Sequence, residues 1–168
     1  MPSTRAITAR RLGAIALALA TAFATLAMGL WDEAAGGKDF DFKKVEKCFM
    51  RKINNKREHN GLGRLEKDKH LGYVARRHAK WMARADRVKH DSDIGEKVTK
   101  WIVLGQNTGK GKRCKSMFTS FWNSSGHRAN ILGSWRFLGV GTKFEKGRLY
   151  VQQVFESTDN PGNVWSVP

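Results

Sequence analysis

The clearest periodicity in the chain runs from Leu71 to Met82, where Leu71, Val74, Ala75, His78, Ala79 and Met82 share one stripe at helical spacing. Arg76, Lys80, Arg84 and Arg87 follow one another on a second face. This predicts a strongly amphipathic helix whose basic face is solvated surface. His78 falls inside the apolar stripe, so it reads as a core histidine hydrogen-bonded to backbone. Upstream, Val45, Cys48, Phe49 and Ile53 set out a first helix, and Gly61 and Gly63 close it. Downstream, Trp101 to Leu104 reads as a short buried strand that stops at Gly105, and Lys110 to Lys115 as a basic, glycine-containing loop. Met117, Phe118, Phe121 and Trp122 return to helical spacing until Ser124, Ser125 and Gly126 break it. Leu138 to Phe144 and Arg148 to Phe155 read as two strands, and Glu145, Lys146 and Gly147 between them have hairpin chemistry.

Helices first and strands mainly later describe an α+β layered domain with a small antiparallel sheet. The 168 residues suffice for one such domain after the N-terminal segment is set aside. That segment carries Arg5, Arg10 and Arg11 and then an uncharged, Ala- and Leu-rich run from Leu12 to Leu30, the charge order of a secretory signal. Residues 1–30 are therefore read as a signal peptide or N-terminal anchor, 31–41 as a linker, 42–160 as the domain and 161–168 as a tail. Cleavage is preferred over anchoring because Ala and Thr leave the run weakly hydrophobic for a stable span. The expected location is outside the cell, or tethered to the membrane if the leader stays.

Cys48 and Cys114 both lie in the exported part, where a disulfide is permitted; two separate buried thiols are the other reading. Neither has a Cys or His at zinc-motif spacing. The net charge of +16 belongs to the domain: residues 1–37 hold three arginines and two acids, and removing them leaves +15. A field of this sign attracts phospholipid headgroups, cell-envelope polyanions and nucleic acid. For an exported chain the envelope partners rank first. Nucleic acid ranks last, because Phe118, Phe121, Trp122, Phe144 and Phe155 sit at core spacing, not as a stacking platform.

The segment Phe121-Trp-Asn-Ser-Ser-Gly-His-Arg-Ala-Asn-Ile-Leu132 resembles the W-M-N-S-P-G-H-R-x-N-I-L signature of bacterial CAP or SCP domains, the group that includes cysteine-rich secretory proteins, antigen five and plant pathogenesis-related proteins. Phe121 replaces the leading tryptophan and Ser125 the proline. Asn54 to Leu65 is similar to the family's N-x-x-R-x-x-x-G-L-x-x-L, and Ala75 to Met82 to its A-x-x-H-A-x-x-M helix. His90 stands where the family places a cleft histidine, and Gly105-Gln-Asn107 where it usually shows G-E-N. Leu138-Gly-Val-Gly141 and Tyr150-Val-Gln-Gln-Val-Phe155 resemble its closing strands. The likeness spans about residues 45 to 156.

The resemblance implies an α-β-α sandwich with a central antiparallel sheet and an open cleft lined by His90 and His127. In many members two histidines and two acids there hold a divalent metal, and two imidazoles are sound donors for zinc or a similar ion. The carboxylates do not carry over: Gln106 takes the place of one, and Ser124 coincides with the other. Glutamine is neutral, cannot act as a general base and is a weak ligand. Asp91, Asp93 or Glu96 could supply a carboxylate near His90, but so close to the turn glycine Gly95 they read first as solvated loop acids. Asn107, Arg128 and Asn130 complete the candidate cleft, divided between ligand binding and loop fixing. The expected function is a non-enzymatic exported module that binds a lipid, small amphiphile or anionic envelope component through this cleft. A secreted peptidase-like hydrolase using His90 and His127 is the alternative.

Overall fold

The computed structural model describes residues 40–98 and 101–157. The leader, the linker up to residue 39 and the tail lie outside them. Helix α1 (Phe42–Glu58) begins at Asp41, whose side chain accepts from the Lys44 amide. Phe40 stacks on Phe144 with ring centroids 5.2 Å apart. Phe40 and Asp41, assigned above to the linker, thus belong to the folded body.

After α1 come β1 (Glu66–Lys67), α2 (Lys69–Arg84), the short α3 (Ile94–Lys97), β2 (Val103–Gly111), α4 (Cys114–Asn123), α5 (Ser125–Leu132), β3 (Phe137–Glu145) and β4 (Arg148–Ser157). The sheet order is β1-β3-β4-β2. Its three long strands are antiparallel, as expected, and the two-residue β1 adds a parallel edge against β3. The β3–β4 hairpin turns through Lys146 and Gly147, both at positive φ, the backbone of a tight two-residue loop.

Alternation along β4 sorts the core into two layers. Leu149, Val151 and Phe155 meet α1, α4 and α5 residues such as Phe49, Ile53, Met117, Phe118 and Ile131 on one face. Tyr150 and Val154 meet α2 on the other, with Ala79 and Met82 around Tyr150 and Leu71, Val74 and Ala75 around Val154. Helices on both sides of the sheet make the α-β-α sandwich. On β3, Gly139 and Gly141 face α2 at very close range. A Cβ at Gly141 would lie 2.0 Å from the Arg76 amide nitrogen, and one at Gly139 2.1 Å from the Leu71 carbonyl carbon.

Four expectations are corrected. The strand after Trp101 is not a buried 101–104 run: Trp101, Ile102 and Val103 are exposed, and pairing extends to Gly111. Hydropathy concealed it because its buried residues are the polar Asn107 and Thr108, Asn107 being held by side-chain hydrogen bonds. The expected 110–115 loop shrinks accordingly, since Lys110 and Gly111 end β2 and Cys114 starts α4. The third concerns Ser125 and Gly126, which open α5 instead of ending helical structure. Only Ile131 of α5 is buried, so no apolar stripe announced it. The basic face of α2 is also not wholly solvated, because Arg76 grips the buried Glu46 of α1 with two bonds of 2.8 and 2.9 Å.

Cys48 and Cys114 are joined as a disulfide between α1 and α4. Asn54 exchanges two hydrogen bonds with the Leu65 backbone. Arg57 donates to the carbonyls of Gly63, Ile131 and Gly133. The N-x-x-R pattern therefore fixes the loop after α1 and the end of α5.

Candidate functional site

His90 lies in the loop between α2 and α3, and its immediate neighbours are held on both sides. The His78 ring bonds the Lys89 carbonyl through Nε2 at 2.7 Å, the core role read from the sequence. Gln106, reaching from β2, accepts from the Asp91 amide through Oε1 and donates to the Asp91 carbonyl through Nε2, each at 2.9 Å. Gln152 donates to the same Oε1 at 2.8 Å. A carboxamide serves here because it offers a donor and an acceptor together; a carboxylate offers acceptors only. The loop's start is tied as well, since Asp86 accepts from the Tyr150 hydroxyl and, at 3.0 Å, from Lys110. Those two bonds hold the Asp86 carboxyl below its ordinary range, the Tyr150 contribution being the larger.

The next residue on β2, Asn107, points to the opposite layer. Its Nδ2 donates to the His127 carbonyl at 3.1 Å and to Gln153 Oε1 at 3.0 Å. Asn130 returns two bonds of 2.9 Å, to the Gln106 carbonyl and to Asn107 Oδ1. Arg128 turns to the Trp122 carbonyl at 2.9 Å and joins α5 to the end of α4. Alternation along one strand thus grips two loops: Gln106 holds the His90 loop on the α2 side, and Asn107 holds α5 on the other. Because β2 is the last strand of the sheet, the two layers can meet across its free edge.

His127 is half-buried, hydrogen-bonded through Nδ1 to Ser124 Oγ at 2.9 Å and packed against Phe121 with centroids 4.7 Å apart. Burial first, and then the nearby charge of His90, push its imidazole below the usual histidine range, while a bond to the Thr108 backbone opposes them. The fold therefore brings His90 and His127 within electrostatic reach of each other. Gln106, Asn107, Arg128 and Asn130 are drawn into the same region, with their polar atoms engaged in fixing backbone.

Asp91 is not the solvated loop acid expected. It is 5% exposed, its Oδ1 accepts from Lys97 at 2.5 Å, and its Oδ2 lies 3.7 Å from His78 Nδ1 without a hydrogen bond. Asp93 and Glu96 are exposed. Among the described residues no group of three or more His, Cys, Asp or Glu side chains is placed to hold an ion. Two imidazoles beside an occupied carboxamide do not fit a resident metal centre of the three-ligand kind.

A cavity of about 350 Å³ opens on the outer flank of His90, between α2 and the 89–93 loop. Arg77, His78, Trp81, Lys89 and His90 line it, and His127, Gln106, Asn107, Arg128 and Asn130 do not. Sequence reasoning missed Arg77 and Trp81. The available signal was an indole between Lys80 and Met82, outside the apolar stripe of α2.

An α-β-α sandwich with the sheet order β1-β3-β4-β2 defines the fold class, and sequence comparison agrees. The family model for the cysteine-rich secretory protein (CAP) family matches residues 50–156, and the chain belongs to that family. Comparison with curated proteins gives no match. Among solved structures, an outer surface protein of Borrelia burgdorferi is 16% identical with a TM-score of 0.65, covering 70% of this chain and 95% of its own. An extracellular SCP-domain protein of Bacillus anthracis is 25% identical with a TM-score of 0.60, covering 73% of this chain and 45% of its own. A cysteine-rich secretory protein of Staphylococcus aureus is 20% identical with a TM-score of 0.59, covering 71% and 41%. The chain spans less than half the length of the last two, and the likenesses below 25% show the fold alone. Among the described residues no helix is long and apolar enough to cross a membrane.

Proposed function

We propose that this chain is an exported, non-enzymatic binding module that holds an anionic lipid, small amphiphile or envelope polymer at the two-histidine region on the β2 edge. Export is supported by the charged-then-apolar leader and by structural relatives described as extracellular, outer-surface or secretory. The net charge of +16 favours anionic partners. The observation that carries the non-enzymatic reading is the engagement of the surrounding polar groups. Gln106, Asn107 and Asn130 are spent on backbone and on one another, and among the described residues no carboxylate pairs with either imidazole to orient it as a base.

The test is binding of the full chain to phosphatidylglycerol-containing and pure phosphatidylcholine vesicles at low and physiological salt. Binding that requires the anionic lipid, weakens with salt and drops in a His90→Ala, His127→Ala double variant supports the proposal. Binding indifferent to lipid charge and to salt removes it.

A second reading, a secreted hydrolase, is favoured by the Ser124 Oγ to His127 Nδ1 bond of 2.9 Å. That pair has the contact a nucleophile and its base need, and burial shifts the imidazole toward its neutral form. Ester or peptide hydrolysis by the purified chain, abolished by both Ser124→Ala and His127→Ala, would put this reading first.

A further inference from the structure

The cavity beside His90 is lined by several groups with no role in holding the fold together, Trp81, Arg77 and Lys89 among them. Trp81 is 44% exposed, and its indole lies nearly parallel to the His78 ring, 18° off and 5.3 Å between centroids. His78 is itself buried and fixed to the Lys89 carbonyl, so the indole is backed by an immobile ring. Arg77 donates to the Tyr73 hydroxyl at 3.4 Å, with its guanidinium 5.9 Å from that ring, and has no carboxylate partner among the described residues. The Lys89 ammonium has neither an ion pair nor a hydrogen bond among them. Asp93 also lines the cavity with an exposed carboxylate, to which the Ser92 hydroxyl donates at 2.7 Å. Lys97, by contrast, is committed to Asp91.

A flat indole, two cations without a carboxylate partner among the described residues and a hydroxyl–carboxylate pair around one concavity select a particular chemistry. Phosphate alone would make no use of Trp81. A lipid chain would leave Arg77, Lys89 and Asp93 without polar partners, and 350 Å³ is at the small end of ligand sites. A sugar ring matches all of it, with a C–H face for the indole, hydroxyls for Asp93 and Ser92, and a carboxylate for Arg77 and Lys89. We propose that this cavity binds an acidic saccharide, its ring laid on Trp81 and its carboxylate held by Arg77 and Lys89. This rests on the reading of the chain as a module for anionic envelope components, and it names the ligand class and a second contact surface for it.

The experiment is calorimetric titration of the full chain with trigalacturonate, with neutral maltotriose and with inorganic phosphate. Trigalacturonate is expected to bind and the other two to bind at least about tenfold more weakly. Trp81→Ala should weaken the uronate about tenfold while Trp81→Phe retains most of it. An Arg77→Gln, Lys89→Gln double variant should lose the preference over maltotriose. All three positions are surface residues, and unchanged thermal melts would confirm that the variants fold. Equal uronate binding by Trp81→Ala, or phosphate binding as tightly, overturns the proposal. If trigalacturonate fails to bind while salt-sensitive vesicle binding persists, the saccharide assignment falls and the binding-module reading stands. If both fail, both fall.

Discussion

Gln106 and Asp91 exchange two hydrogen bonds of 2.9 Å between one side chain and one residue's backbone, and His90 is the residue just before that clamp. The arrangement explains why a family position usually held by glutamate carries an amide here. Gln106→Glu keeps the acceptor for the Asp91 amide, leaves the Asp91 carbonyl without its donor and adds a charge facing the Gln152 amide. A loss of about 1–3 kcal/mol is expected in urea denaturation. Gln106→Ala, which removes both bonds, should cost at least as much, and a Glu variant as stable as the parent would refute the donor role.

The contact of β3 with α2 leaves no room for a side chain. Gly141→Ala places a methyl 2.0 Å from the Arg76 nitrogen, so α2 must move off the sheet. About 3 kcal/mol or more should be lost, with the His90 loop disturbed because it continues from α2. Gly63→Ala, where nothing lies within 4 Å of the added carbon, is the control and should change the urea midpoint little.

Glu156 is fully buried, neither carboxylate oxygen has a hydrogen-bond partner, and burial first and Asp68 second raise its carboxyl from 4.5 to about 7. The folded state thus binds this proton more tightly than the unfolded chain. Its contribution is fully present below about pH 4.5 and is lost as pH rises toward and through 7, a swing of up to about 3 kcal/mol. Thermal melts between pH 5 and 8 should show stability falling across that window, and Glu156→Gln should flatten the dependence. A parent whose stability rises from pH 6 to 8 as steeply as the variant's would contradict the assignment.

The disulfide closes a separation of 66 residues between α1 and α4. Replacing both cysteines with alanine should cost about 4 kcal/mol on the chain-entropy estimate. Guanidinium unfolding of the double variant measures it, and an unchanged midpoint would mean that the link adds nothing.

The donor set around His90 and His127 predicts the response to chelation. Dialysis of the purified chain against EDTA should leave the melting temperature unchanged, and zinc should not raise it. A drop on chelation that zinc reverses in the parent, but not in the His90→Ala, His127→Ala variant, would reinstate a metal at that pair.

Local pattern carried much of the architecture. The 3.6-residue stripe of Leu71, Val74, Ala75, His78, Ala79 and Met82 is α2, and the Lys146-Gly147 turn between alternating strands is the β3–β4 hairpin. What escaped is held by polar contacts between distant residues. Asn107 is buried in β2 because His127, Asn130 and Gln153 surround it, and α5 holds its place through Arg57 and Asn130. Neither leaves a mark on hydropathy.

The sequence by itself determined the layered α+β class, the family, the positive charge and the identity of two histidines at motif positions, since each is a matter of composition, spacing or residue order. Tertiary structure alone decided that Asp91 turns inward to Lys97, that Gln106 and Asn107 hold opposite layers, and that Trp81 stands beside a cavity. Those outcomes depend on which side of β2 each side chain leaves and on which residues far along the chain arrive to meet it.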